Sequence, residues 1–126
     1  MSKKIITTDK APKAIGPYSQ AVEANGVLYI SGQVPINPGT GKLVEGGIRE
    51  QTAQVMKNIS VILEAAGYSL SHVVKTVCML SDLGNFAAMN EVYGKFYPVN
   101  PPARATYQVA ALPLGSLIEI ETIAVK

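Results

Sequence analysis

The residue best equipped for chemistry is Arg104, in the stretch PPARATYQVAALP over residues 101–113. It is the only cation between Lys95 and Lys126. Pro101 and Pro102 fix φ, and Pro101 holds Asn100 away from a helix, so an extended segment is predicted over 104–110. Alternation puts Arg104, Thr106, Gln108 and Ala110 on one face and Ala105, Tyr107 and Val109 on the other. A guanidinium is a flat fork of donors suited to bidentate capture of a carboxylate. The same spacing also fits an Arg that snorkels off a sheet edge or pairs with a structural carboxylate. A second cluster is Glu119 and Glu121 in LIEIETIAV, a strand predicted over 117–125. Its other face carries Ile118, Ile120, Thr122 and Ala124, and the Glu face turns apolar again at Ile123 and Val125. Carboxylates beside apolar positions fit a pocket or a subunit seam, and they fit equally a charged edge that blocks aggregation.

The remaining candidates are weaker. Gly32 follows a predicted strand and lets backbone approach something closely. His72 is the only His, stands at a turn, and has no Ser/Asp constellation in view. Cys78, the only Cys, lies in an apolar run and reads as a buried inert thiol.

These residues need positioning elements. Short strands are predicted over 4–8 and 18–24. Asn25-Gly26 signals a type I′ hairpin returning through 27–31. The Gly- and Pro-rich stretch 35–47 reads as a surface loop, without the Lys-Ser/Thr ending of a phosphate loop. Ile48, Thr52, Val55, Met56, Ile59, Ile62, Leu63 and Ala66 recur at helical spacing, which predicts a helix over 48–66 stopped by Gly67. Residues 73–80 are apolar on both faces except at Lys75 and Thr76, as in an interior strand. A second helix is predicted over 85–97, capped by Asp82 or Asn85 and closed by Pro98. The order β-β-β-α-β-α-β-β predicts an α+β fold, one mixed sheet with both helices on one face, in a single domain over residues 1–126.

The whole chain narrows the function classes. Of its 126 residues 48% are hydrophobic and only 16% charged, so part of the surface is expected to be hidden in an oligomer. The net charge is +2 with Lys and Arg scattered, which supports neither nucleic acid nor an anionic membrane as primary partner. With one Cys and one His, neither a metal site nor a disulfide framework is expected. The start, MSKKIITTDKAP, has no long apolar segment, so neither signal peptide nor membrane span is expected there, and a lone Cys suits the cytoplasm.

Taken together, GPYSQA with Tyr18, ISGQVPINPGTG with Ser31 and Gly32, Asn90 in the second helix, PPARATYQVAALP and IEIETIAV resemble the RidA (YjgF) family of reactive-intermediate deaminases over essentially the whole chain. The stretch 102–113, PARATYQVAALP, most resembles the animal liver branch. The resemblance implies a chorismate-mutase-like fold and a homotrimer with clefts between subunits. It implies hydrolysis of 2-imino acids such as 2-iminobutanoate and 2-iminopropanoate to 2-keto acids and ammonia, with no cofactor. It puts the carboxylate-binding role on Arg104 and the water-orienting role on Glu119, these being the catalytic pair. Tyr18 becomes a pocket wall supplied by the adjacent subunit, Ser31-Gly32 a small-residue contact, and Asn90 a helix residue near the cleft. Many members carry Cys where this chain has Thr106, so thiol chemistry is absent at that place while a hydroxyl remains for binding. The alternative is a carboxylate-binding regulatory or chaperone-like module without turnover. Translation inhibition and RNA cleavage are also linked to the family, and the absence of a basic stripe and of a His pair speaks against the latter as primary.

Overall fold

In the computed structural model, which describes residues 2–126, the apolar stripe of the first predicted helix folds as α1, Ile48–Ala65. Val55, Met56, Ile59, Ile62 and Leu63 on that stripe are wholly buried. Each such side chain contributes about 1.5–3 kcal/mol. Gly67 (φ +79°) ends the helix in a Schellman turn. There the Tyr68 N–H donates to the Leu63 carbonyl at 2.9 Å and the Gly67 N–H to the Glu64 carbonyl at 3.0 Å.

The strands are β1 (Lys4–Ile6), β2 (Ala21–Ala24), β3 (Val27–Gln33), β4 (Ile36–Asn37), β5 (Lys42–Leu43), β6 (Val73–Leu80), β7 (Ala103–Gln108) and β8 (Ile118–Val125). The second helix, α2, is Phe86–Phe96. Six strands form one sheet in the order β1-β2-β3-β8-β6-β7. Only β6 and β7 pair in parallel, through the α2 crossover, so the sheet is mixed as predicted. Both helices cover one face. There Leu28, Ile30, Cys78, Leu80, Ile118 and Ile120 meet α1 and Met89 of α2. The predicted α+β class therefore holds, and β6 lies inside the sheet, between β8 and β7, with one face on the core and the other exposed at Val74 and Lys75. Asn25 (φ 52°) and Gly26 (φ 75°) form the predicted type I′ turn.

Several boundaries are corrected. The strand predicted from residue 18 begins only at Ala21; the Gln20 carbonyl still accepts from the Ser31 N–H (3.0 Å), while its side chain turns to the N-terminal segment. Its side-chain amide donates to the Pro12 carbonyl (2.8 Å) and accepts from the Thr8 N–H (2.7 Å). Residues 35–47, read as a loop, contain the β4–β5 hairpin, too short to show alternation. Gly41 (φ +73°) turns it, and buried Asn58 of α1 ties it down by donating to the Val34 and Ile36 carbonyls at 3.3 and 3.0 Å. Neither predicted cap holds α2 by its side chain: Asp82 instead accepts from the Gly84 N–H (2.8 Å) in the preceding turn. The strand with Arg104 ends at Gln108 rather than 110. Among the described residues no helix is long and apolar enough to cross a membrane.

Candidate functional site

Glu119 owes its position to an irregularity between β3 and β8. Ile30 pairs with Thr122 and Gln33 with Ile120, so Ser31 and Gly32 together oppose one residue, Glu121. This is a β-bulge, which bends a strand and re-aims its side chains. The Glu119 carboxylate lies directly over Gly32. A Cβ there would come within 2.0 Å of its Oε2, so only glycine admits this pose. The Ser31 hydroxyl is turned away and donates to the Ser19 carbonyl (2.6 Å), pinning the Tyr18 segment beside the bulge.

A cleft of about 610 Å³ opens here, lined by Tyr18, Ser31, Gly32, Glu119, Ile15 and Leu114 among others. Burial, and then the neighbouring Glu121 charge, push the Glu119 carboxyl above the usual carboxylate range. A carboxyl so shifted is suited to holding and passing a proton. Ile15 and Leu114, strongly exposed at 86% and 67%, make one side of the cleft apolar; they stand in loops without periodicity and were not singled out from the sequence.

Arg104 lies elsewhere. It pairs with Thr76 across β6–β7, and Thr76 is buried on the helix face, opposite to Glu119. Its guanidinium sits 4.9 Å from the Tyr93 ring centroid and 5.5 Å from that of Phe86. It has no carboxylate partner among the described residues, which removes the structural ion pair left open by the sequence. Arg104 opens onto a concavity of about 450 Å³ lined by Asn90, Tyr93, Gly94, Tyr97, Pro101 and Pro102.

Within one chain the predicted residues therefore form two half-sites. Tyr18, Ser31, Gly32 and Glu119 are brought together; Arg104 and Asn90 are brought together; the halves are not. Glu119 and Arg104 do not stand on neighbouring strands, since β6 runs between β7 and β8. Tyr18 shares its cleft with Glu119 of its own chain. Thr106 is beside Cys78 in the β6–β7 ladder, and burial pushes the Cys78 thiol up to about 11 against the pull of the Arg104 charge. Such a thiol is a poor nucleophile at neutral pH. Ser69 and Ser71 do gather near His72, contrary to expectation, but the His72 Nδ1 accepts the Ser69 N–H (3.0 Å) and so closes a turn. Among the described residues no three His, Cys, Asp or Glu side chains converge on a metal position.

The family profile described as Endoribonuclease L-PSP matches residues 8–126. The 2-iminobutanoate/2-iminopropanoate deaminase of Mus musculus is 52% identical over 124 residues, covering 98% of this chain and 92% of the mouse protein. The crystal structure of RidA from the Antarctic bacterium Psychrobacter sp. superposes with a TM-score of 0.94 at 50% identity, covering 98% of this chain and 99% of that one. That of E. coli TdcF with bound serine superposes with a TM-score of 0.93 at 40% identity, covering 98% and 98%.

Proposed function

The chain belongs to the Endoribonuclease L-PSP family, the RidA/YjgF proteins, and from that premise we propose that it hydrolyses small 2-imino acids to 2-keto acids and ammonia. It does so as a single domain, in a cytoplasmic homotrimer whose clefts join the Glu119 half-site of one chain to the Arg104 half-site of its neighbour. Its role is to clear reactive imines such as 2-iminobutanoate and 2-iminopropanoate. One observation carries the reading. Glu119 is held over Gly32 in a cleft, with its carboxyl shifted upward, while Arg104 presents a guanidinium free of any structural carboxylate.

The chemistry follows from the groups. Arg104 holds the substrate carboxylate through two parallel hydrogen bonds. That fixes the C=N carbon relative to a water on Glu119. The water oxygen bonds to the carbon, the C=N π electrons move to nitrogen, and Glu119 takes the water proton and returns it to nitrogen. Glu119 then carries the carbinolamine's hydroxyl proton to the nitrogen, the O–H electrons form the C=O as the C–N bond breaks, and ammonia leaves the keto acid. No redox change occurs, so the reaction balances without a cofactor. Tyr18 walls the cleft, Ser31 and Gly32 approach the substrate, and Asn90 and Thr106 border the carboxylate end.

The test couples an amino-acid oxidase that releases 2-iminobutanoate to the purified protein. Faster formation of 2-oxobutanoate, abolished in Arg104→Ala, is expected. Calorimetric binding of 2-oxobutanoate with no acceleration of imine loss would make the protein a carboxylate-binding module instead. Breakdown of RNA without imine turnover would restore the activity in the family description.

A further inference from the structure

Arg104 is a long side chain at a sheet edge, and such a side chain has many rotamers to lose when it binds. In this fold it is held on the rings of α2. Phe86 and Tyr93 are seven residues apart, two turns of helix, and so share one face. The guanidinium carbon lies 5.5 Å from the Phe86 centroid and 4.9 Å from the Tyr93 centroid, within the range of cation–π attraction. Tyr93 is itself fixed: it is only 5% exposed, and its hydroxyl shares a hydrogen bond of 2.7 Å with the Thr76 hydroxyl. Thr76 is also the ladder partner of Arg104 on β6. The ring and the Arg104 backbone are thus keyed to one residue, closing a triangle of strand, strand and helix.

We propose that Phe86 and Tyr93 are positioning residues, orienting the Arg104 fork so that its edge faces the incoming carboxylate. A cation–π contact made through the flat face of the guanidinium leaves its five in-plane N–H donors available. The two interactions do not compete. The rings hold the fork in the pose that bidentate capture requires, and the ordering cost falls before binding rather than on it. This rests on the reading of Arg104 as carboxylate holder, and it adds a requirement on α2 that this reading lacks.

The experiment measures the Kd of 2-oxobutanoate by calorimetry, and KM and kcat for 2-iminobutanoate, in wild type, Arg104→Ala, Tyr93→Leu, Phe86→Leu and Tyr93→Phe. Loss of the Tyr93 face should raise both Kd and KM about tenfold, the scale of a partly desolvated cation–π contact, with kcat changed less than about twofold. Tyr93→Phe keeps the ring and should recover most of the affinity. A readout independent of turnover is the Arg104 side-chain N–H resonance. Ring currents should displace it in wild type and Tyr93→Phe, and release it in Tyr93→Leu. If Tyr93→Leu does not fold, Phe86→Leu, at a residue 38% exposed, carries the same test. Unchanged Kd and KM in the folded Leu variants, with binding lost in Arg104→Ala, would overturn the inference and leave the proposed function standing. Normal binding in Arg104→Ala would overturn both. Binding with the predicted Kd pattern but no imine turnover would sustain the inference and sink the deaminase reading.

Discussion

Glu119 is where burial, charge and backbone meet. Its raised carboxyl makes a signed prediction about stability. In the folded chain it holds its proton to higher pH than in the unfolded chain. Its favourable contribution is therefore present below the ordinary carboxylate range and lost as pH rises through the folded value. Glu119→Gln should accordingly melt higher than wild type at pH 7, and the difference should vanish in melts run near pH 3. The same substitution should lower kcat by roughly 10²-fold while 2-oxobutanoate still binds through Arg104. Glu121→Gln should keep turnover but move the acid limb of the pH–rate profile downward, because the Glu121 charge helps raise its neighbour. Gly32→Ala should imitate Glu119→Gln in kcat, since a methyl there collides with Oε2. Glu119 and Gly32 could be singled out from the chain, but their contact could not. It depends on a bulge, and a bulge of two small residues leaves no mark on an alternating pattern.

At the level of elements, what was legible was what repeats. The α1 stripe, the type I′ turn and the largely apolar β6 each follow from a period or a dipeptide. Illegible were the pieces held by single side chains: the Gln20 tether, the β4–β5 hairpin and the insertion of β8 between β3 and β6. With β6 between β8 and β7, and Arg104 paired with Thr76 but Glu119 with Met79, the two residues lie two strands apart and on opposite faces, although both were identified. The hairpin gives a clean test. Asn58 is 1% exposed, and its amide serves two carbonyls of the β4 segment. Asn58→Ala leaves those acceptors unanswered and should cost about 1–3 kcal/mol in denaturant unfolding. Hydrogen exchange should accelerate first in 36–43. Ile36 lines the Glu119 cleft, so KM should rise as well.

For the molecule as a whole, the sheet face away from the helices sets the problem. Val22, Tyr29 and Ile123 run across it, with Val77 and Met79 beside the two Glu residues, and among the described residues no helix covers them. Tyr29 and Tyr107 are 49% and 48% exposed. Apolar area of this kind on a chain with 16% charge predicts assembly, and sedimentation should give about 40 kDa for three chains of 13.3 kDa. Tyr29→Glu should shift it to the single-chain mass and abolish turnover together. The placement of Arg104 and Glu119 in separate half-sites has a consequence in heredity. A cell expressing two defective alleles, one encoding Arg104→Ala and the other Glu119→Gln, should regain the phenotype of a working gene. In randomly mixed trimers about a quarter of the clefts would draw both intact groups from different parents. Loss-of-function alleles should thus sort into two complementation groups, one around Arg104 and one around the bulge. Lesions that unfold the chain should belong to neither.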